Sequence, residues 1–299
     1  MSTTIEWTDA TWNPIRGCSL VSAGCKNCYA MKQAHRFSGP GKPYEGLTEI
    51  GPHGPLWTGK IRLVPEALEE PLHWRKPRRI FVNSMSDLFH EDVPDEFICR
   101  VFGAMLAASR QIFQVLTKRP ERMQKLLRDI GFANDVAVFG NWGEPVVPWP
   151  LPNVHLGVSI EDQATADERI PILLRTPAAV RFVSYEPALG PVDLSQFIPV
   201  HAHSSFRAAR MANQNLPCIN WVIVGGESGP GARPCDVAWI RSIKDQCQAA
   251  GTKLFVKQLG SYVRVENAVG GLSRLRLQDK KGGDIREFPE DLRVREFPC

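Results

Sequence analysis

Several features are missing from this chain, and each absence excludes something. None of its apolar runs approaches the roughly 18 consecutive positions of a membrane-spanning helix, so a membrane partner is not expected. The opening MSTTIEWTDATWN carries neither the basic n-region nor the apolar h-region of a secretory leader, and a cytoplasmic location is expected. Charge of one sign is scarce too. The 36 Lys and Arg against 32 Asp and Glu leave a formal +4, which points only weakly to an anionic partner. A length of 299 residues with 43% hydrophobic and 23% charged positions can bury one large core, and single α/β barrels commonly reach roughly 200 to 250 residues or more.

Eight cysteines are present, and in a reducing compartment they do not form a disulfide framework. Cys99, Cys218, Cys235, Cys247 and Cys299 are scattered and read as plain thiols. Cys18, Cys25 and Cys28 fall together in GCSLVSAGCKNCYA and ask for a metal or catalytic reading. The run CYAMKQAHRF has helix formers and no Pro or Gly until Gly39, which predicts a helix with Cys25 and Cys28 on one face at i, i+3. Cys18 arrives from the Gly-flanked loop before it.

Short apolar runs alternate with helical periods along the rest of the chain. RIFVNS (79–84) precedes a helix in which Phe97, Ile98, Val101, Phe102, Met105 and Leu106 recur at helical spacing. IFQVLT (112–117) leads to a helix with Pro120 in its first turn and Gly131 as its C-cap. VHLGVSI (154–160) leads to a helix from about Asp162 to Arg175, VRFVSY (180–185) to a long connection, and INWVIVGG (219–226) to DVAWIRSIKDQCQAAG. KLFVKQ (253–258) closes the series, and ATWNPIR supplies a weak opening strand. Continuous apolar strands between amphipathic helices predict a parallel sheet covered on both faces, either doubly wound or a barrel.

The strand ends favour the barrel. Asn83, Ser84 and Asp87 follow one strand, and Thr117, Lys118 and Arg119 the next. Ser159, Glu161 and Asp162, then Glu186, then Gly225, Gly226, Glu227 and Ser228, then Lys257 and Gln258 follow the others. An open sheet concentrates ligands at one switch point, whereas a barrel lets nearly every strand contribute at its C-terminal rim. The expected architecture is a full or partial parallel (β/α) barrel over residues 1–260, with an N-terminal cysteine loop and insertions at 39–77 and 201–215. A C-terminal extension, 261–299, is expected to pack on it.

Three thiolates can be completed in two ways. His35, seven positions past Cys28, makes a closed Cys3His zinc site. Without a fourth protein ligand, the three suit a 4Fe-4S cluster that keeps one iron open.

At this point the residues resemble a known group. Three N-terminal cysteines on the first loop of a partial α/β barrel resemble the radical S-adenosylmethionine (SAM) superfamily, whose usual spacing is C-x3-C-x2-C; here it is C-x6-C-x2-C, and Tyr29 follows the third cysteine where an aromatic often precedes it. IEWTDATWNPIRGCSLVSAGCKNCYA, NSMSDLFHEDVP, LTKRPERM, GVSIEDQ, RFVSYEPALGPVDL, WVIVGGESGPGARP and FVKQLG together resemble the three-Cys-motif proteins, a family often encoded by phages. The resemblance runs to the closing FPEDLRVREFP and names no reaction.

It does imply a radical SAM fold and chemistry. Cys18, Cys25 and Cys28 are then the ligands of a 4Fe-4S cluster, SAM is the second cofactor, and an external electron donor is required. The superfamily's GGE-like stretch after the second strand receives the SAM amino group; the residues in that place are Ser84, Ser86 and Asp87. Lys118 and Arg119 are implied for the SAM carboxylate, though adjacent cations after a strand also make a solvated rim. Ser159 and Glu161 are implied for the ribose hydroxyls. The literal Gly225, Gly226 and Glu227 come late, where glycines let backbone approach adenosine; on its own GGESGPG is a turn. Glu186 and Lys257 are rim candidates for catalysis on a substrate.

The substrate is read from charge alone. Lys32 to Arg79 hold nine Lys or Arg and five Asp or Glu, an excess equal to the whole net charge, and HWRKPRR (73–79) is the densest part. With Trp57 and Trp74 nearby, and a second basic insertion HAHSSFRAARMANQN (201–215), a nucleotide or nucleic acid is a candidate partner. A solvated cationic face accounts for the same residues. The leading expectation is a radical SAM-type enzyme that modifies a nucleobase, nucleotide or nucleic acid. The alternative is a nucleic-acid-binding protein with a structural zinc at Cys18, Cys25, Cys28 and His35 and no catalysis.

Overall fold

The computed structural model describes residues 3–52, 54–140, 147–198, 217–267 and 270–298. The insertion 201–215 and Cys299 therefore lie outside the described residues. The chain divides into two compact units, Met1–Gly157 with Thr176–Ala179, and Val158–Arg175 with Val180–Cys299.

The first unit starts with two short strands, β1 (Ala10–Trp12) and β2 (Ile15–Arg16), followed by helix α1 (Tyr29–His35). A hairpin of β3 (Thr48–Gly51) and β4 (Gly54–Trp57) and the short β5 (Arg62–Leu63) follow. Then come β6 (Arg79–Val82), α2 (Asp95–Ala107), β7 (Ile112–Thr117), α3 (Pro120–Leu127), α4 (Ile130–Phe139) and the start of β8 (Val154–Ile160). The six apolar residues expected on one face of α2 are all buried, each stabilising the fold by about 1.5–3 kcal/mol relative to exposure.

The second unit takes in the end of β8, α5 (Gln163–Leu174), β9 (Val180–Tyr185), β10 (Trp221–Gly225) and β11 (Cys235–Asp236). It continues with α6 (Val237–Ala250), β12 (Lys253–Gln258), β13 (Val263–Glu266) and β14 (Leu272–Leu275). Asp162 caps α5 through a reciprocal capping box with Thr165, and Gly251, at φ 68°, ends α6.

The long strands form one seven-stranded sheet in the order β1-β6-β7-β8-β9-β10-β12. Its recorded pairs β1·β6, β6·β7, β9·β10 and β10·β12 are parallel. Every new strand is added on the same side, without the reversal of order that defines a doubly wound sheet. That is the strand order of a partial parallel (β/α) barrel. Within the second unit the C-terminal tail covers the free edge of β12: Val256 N–H donates to Val294 O at 2.9 Å and Glu296 N–H to Leu254 O at 2.8 Å. A covered edge offers no template for another chain.

Two expectations about local structure need correction. Gly131 does not cap the helix after Pro120; that helix stops at Leu127, and Gly131 donates its N–H to Asp129 Oδ1 at 2.8 Å in the first turn of α4. An aspartate able to cap a new helix outweighed continuation of the old one. Cys25 and Cys28 do not share an α-helical face either. Cys25 ends a single 3-10 turn, Ala23–Cys25, and Cys28 is the N-cap residue of α1, with a backbone turn bond from Cys28 N–H to Cys25 O at 3.2 Å.

The excursion between β1 and β6 is clasped at its root. β2 pairs antiparallel with β5, Ile15 opposite Leu63 and Arg16 opposite Arg62. Gly17, at φ 89°, passes so close that a Cβ there lies 2.3 Å from Lys60 O, and no other residue fits. Within the excursion, Ala30, Met31 and Ala34 of α1 pack with Leu47 and Trp57, and Cys18, Cys28 and Met85 lean on that cluster.

Candidate functional site

The cysteines are reached from the strand ends by a hydrogen-bond network inside the first unit. Asp87, past β6, is buried, and its carboxylate accepts from Phe89 N–H at 3.0 Å and Thr117 Oγ1 at 2.8 Å on Oδ1. On Oδ2 it accepts from Lys118 N–H at 3.1 Å and Arg119 Nη1 at 3.1 Å. All four lone-pair sites of the carboxylate are thus taken by the protein. Asp87 fastens the end of β6 to the end of β7.

Arg119 carries the fastening on to the cysteine loop. Its Nε donates to Glu91 Oε2 at 2.8 Å and its Nη2 to Ser19 Oγ, next to Cys18, at 2.6 Å. Burial opposes its charge, but Asp87 and Cys18, with Glu91, outweigh that and hold its pKa above the ordinary value. Glu91 is pulled down to about 2: burial resists, while backbone hydrogen bonding and the Arg119 side chain prevail. Ser19 Oγ also meets His90 Nε2 at 2.9 Å and donates to Glu91 Oε1 at 3.3 Å. Asp92 N–H donates to His90 Nδ1 at 3.2 Å, so the neutral ring carries its proton on Nε2 and donates it to Ser19. Burial, then Arg119, holds the His90 pKa below its usual value.

The other side of the loop is tied in the same way. Tyr29, next to Cys28, donates its hydroxyl to Ser84 O at 2.6 Å. Ser86 Oγ donates to Ile15 O at 2.8 Å, and Asn13 Oδ1 accepts from Ser84 Oγ at 3.2 Å and Met85 N–H at 3.1 Å. Three stretches far apart in sequence, around Asn13–Tyr29, Asn83–Glu91 and Thr117–Arg119, meet around the thiols.

The thiols are half-buried and free. Burial pushes Cys18 up to about 12, with Asp87 adding to it, Arg119 opposing it, and Cys28 and Cys25 each raising it further. Burial raises Cys28 as well, with Cys25 adding to it and the Lys118 ammonium opposing. Each thiol therefore lies within electrostatic reach of the others. Among the described residues no three or more His, Cys, Asp or Glu side chains are gathered as the ligands of one metal ion. His35 sits two turns along α1 from Cys28, roughly 10 Å of helical rise, and its Nδ1 meets Thr48 Oγ1 at 3.1 Å and Ser38 Oγ at 3.4 Å.

Asn83 follows the last residue of β6. It is 2% exposed, its φ is 56°, and among the described residues neither its Oδ1 nor its Nδ2 has a hydrogen-bond partner. Leaving a buried polar group unpaired costs about 1–3 kcal/mol each.

The strand ends of the second unit close on themselves. Lys257 Nζ donates to Glu186 Oε1 at 2.7 Å and Oε2 at 2.9 Å, and Gln258 Nε2 donates to Glu186 Oε1 at 3.2 Å. Glu227 accepts from Arg233 N–H at 2.8 Å and Nη2 at 2.6 Å, which closes the turn between them. Glu161 is fully buried and accepts from Arg169 Nη1 at 3.3 Å, and the Ser159 carbonyl accepts from the same nitrogen at 2.7 Å. Gly226 is required because a Cβ lies 2.1 Å from Leu259 O, so the close backbone there is the chain's own. A groove of about 410 Å³ at the opposite end of β12 has its charges paired, Lys253 with Glu296 and Lys244 with Asp291.

The family model described as Protein of unknown function (DUF5131) matches residues 2–289. The chain belongs to this family. No curated protein and no solved structure is significantly similar to it. The family's description carries no activity, so the chemistry rests on the residues.

Sequence reasoning reached Cys18, Cys25, Cys28, Ser84, Ser86, Asp87, Lys118 and Arg119, which the first unit does bring together. It missed Ser19, His90, Glu91 and Asn13, all inside or beside the quoted motifs; the signal was their motif membership, without a partner to pair them with. The basic stretch 73–79 precedes β6 and so lies at the other end of that strand from Asp87. Arg78 stacks on Trp74 at 5.4 Å and Arg79 pairs with Asp9 at 3.0 Å, while Arg75 and Lys76 are exposed. No described helix is long and apolar enough to cross a membrane.

Proposed function

We propose that this chain is a radical SAM-type enzyme in which Cys18, Cys25 and Cys28 hold a 4Fe-4S cluster and the substrate is a nucleotide or nucleobase. The observation that carries the reading is the fastening of a three-thiol loop, by Arg119 and Tyr29, to the ends of β6 and β7. With His35 two turns along α1 and meeting Thr48 and Ser38, three thiols on one loop suit a cluster with an open iron better than a closed Cys3His zinc. Cys18, Cys25 and Cys28 would hold the cluster, which, given an electron by an external donor, would supply reductive chemistry on SAM.

The chain's own residues do the positioning. Arg119, through Ser19, and Tyr29, through Ser84, fix the loop that carries the thiols. Ser84 and Ser86 donate their hydroxyl protons to Asn13 and Ile15 and keep lone pairs for the SAM amino group, while Asp87 holds the wall. Arg119 is committed to Asp87, Glu91 and Ser19, and Lys118, next to it in the chain, is proposed to face the SAM carboxylate. A nucleotide or nucleobase is preferred here to a nucleic acid because the basic stretch 73–79 lies at the other end of β6 from Asp87.

The test is metal and product analysis on anaerobically purified protein. Iron with broad absorbance near roughly 400 nm is expected. Each of Cys18→Ala, Cys25→Ala and Cys28→Ala loses the iron, and His35→Ala keeps it. With dithionite and SAM the wild type releases 5'-deoxyadenosine. Stoichiometric zinc without colour, or metal lost in His35→Ala, overturns the reading in favour of the structural zinc site.

A further inference from the structure

We infer that the solvent face of α1 and the tip of the cysteine loop form the docking surface for a small acidic one-electron carrier protein. From Ala10 to Tyr44 the chain holds Arg16, Lys26, Lys32, Arg36 and Lys42 and no Asp or Glu. Lys26, Arg36 and Lys42 are exposed, and neither they nor Lys32 are in an ion pair among the described residues. Elsewhere in the same unit Arg79, Arg119 and Arg122 each meet a carboxylate. On α1 the buried Ala30, Met31 and Ala34 face the cluster on which Cys18 and Cys28 lean, so Tyr29, Gln33 and Arg36, at i, i+4 and i+7, share the opposite face. Lys26 lies three residues before it. Carboxylates border this surface: Glu91, met by Arg119, at Ser19, and Glu45, which accepts from Gly41 N–H at 2.8 Å.

The same surface is apolar as well as cationic, with Leu20, Val21, Tyr29 and Phe37 exposed among the charges. A phosphate backbone is held by cations and polar groups and leaves aliphatic Leu20 and Val21 unused. A protein interface has an apolar centre inside a charged rim, and unpaired cations at that rim select an acidic partner and steer its encounter. What the partner brings follows from position, and here the inference rests on the proposed function. SAM is placed at Ser84 and Ser86, so an electron has to arrive from the outer side of the loop. Cys28 is the N-cap residue of α1, and a helix with its side chains is about 10–12 Å across, so a carrier on the outer face stands within roughly that distance of a thiol. One electron leaves the carrier and enters the cluster; no bond forms or breaks, and no proton moves. Encounters of this kind bury less than about 1,200 Å², so a short helix and a loop tip suffice.

The probes are an acidic flavodoxin and an acidic plant-type 2Fe-2S ferredoxin, and their binding to the full chain is measured by interferometry at about 50 and 200 mM salt. At least one carrier is expected to bind wild type, and to bind about tenfold more weakly at the higher salt. Arg36→Glu weakens it, Lys26→Glu with Arg36→Glu weakens it by about tenfold and flattens the salt dependence, and Leu20→Ser with Val21→Ser weakens it alike at both salt concentrations. Arg75→Glu with Lys76→Glu, at the other end of β6, binds as wild type does. In stopped flow the Lys26→Glu, Arg36→Glu protein oxidises the reduced carrier more slowly, while dithionite, which needs no docking, reduces variant and wild type alike. No carrier binding by wild type, or equal binding by the charge-reversed variants, overturns the inference; a short DNA duplex bound in place of the carriers overturns it in favour of a nucleic acid. Iron is measured on the same samples. Iron without carrier binding sinks this inference alone, and charge-dependent carrier binding without iron upholds the surface and sinks the radical reading.

Discussion

The strand ends of the two units use the same residue types in opposite ways. In the second unit each of three carboxylates is met by one cation, Glu186 by Lys257, Glu227 by Arg233 and Glu161 by Arg169, with Gln258 joining the first and the Ser159 carbonyl the last. In the first unit, Arg119 serves Asp87, Glu91 and Ser19 at once, and Ser19 is bonded on to His90. Closed pairs finish a turn or a strand. A branched network holds a loop against the sheet, and here that loop carries three thiols. Connectivity, more than residue type at a rim, separates the parts that lock the fold from the parts that present chemistry.

The comparison breaks most directly at Arg119. Replacing it by Met leaves Asp87 buried without its cation, and a loss of about 3–5 kcal/mol is expected in urea unfolding. Iron content should fall with it, because Ser19 no longer anchors the loop. An Arg119→Met protein with wild-type stability and full iron removes the distinction between the two rims.

Acid sensitivity sharpens it next. His155, buried in the first unit with Nδ1 unpartnered among the described residues, has its pKa lowered by burial to about 4. The unfolded chain therefore binds a proton near the ordinary 6.5 that the folded chain refuses until about 4. Stability from this group is complete above about 6.5 and falls by up to about 3 kcal/mol as pH drops to 4. His155→Leu should flatten that slope, whatever it does to stability at neutral pH. An unchanged slope between those pH values assigns the acid loss elsewhere.

The smallest effect belongs to the second unit. Lys257→Met should cost about 1–2 kcal/mol, since its pair with Glu186 is partly solvated, and should leave iron content untouched. Loss of iron in this variant gives the second rim a share in the cysteine site that its closed pair does not suggest.

The strands were the most readable part of the sequence. IFQVLT, VHLGVSI, VRFVSY and KLFVKQ coincide with β7, β8, β9 and β12 to the residue, because continuous apolar runs bounded by turn residues have few other folds. The end of the helix after Pro120 was not, since Asp129 as a cap competes with continuation by a margin that periodicity does not measure. In the site, Cys18, Cys25 and Cys28 were visible from spacing and Asp87 from its strand end. What Asp87 touches was not visible. Its four donors come from Phe89, Thr117, Lys118 and Arg119, and Ser19 joins Arg119 across most of the first unit. The glycines of GGESGPG misled in the opposite sense: Gly226 is fixed by Leu259 O, a neighbour that only the folded chain provides.

The clasp of β2 on β5 makes the stretch between Gly17 and Lys60 a closed loop, fastened further to the sheet only near its start, at Ser19 and Tyr29, among the contacts described above. The loop holds α1, the β3–β4 hairpin and a small cluster of its own, Met31 with Leu47 and Trp57. Such a loop can open as a unit while the parallel sheet stays formed, with an opening free energy below that of global unfolding. Its closure entropy grows only slowly with the length of chain enclosed, so a long excursion at this place is inexpensive to keep. Amides of α1 should therefore exchange with solvent ahead of those in β6 and β7, and the thiols should react with a bulky maleimide at the rate of that partial opening. Such an opening would expose Cys18, Cys25 and Cys28 together while the sheet stays formed.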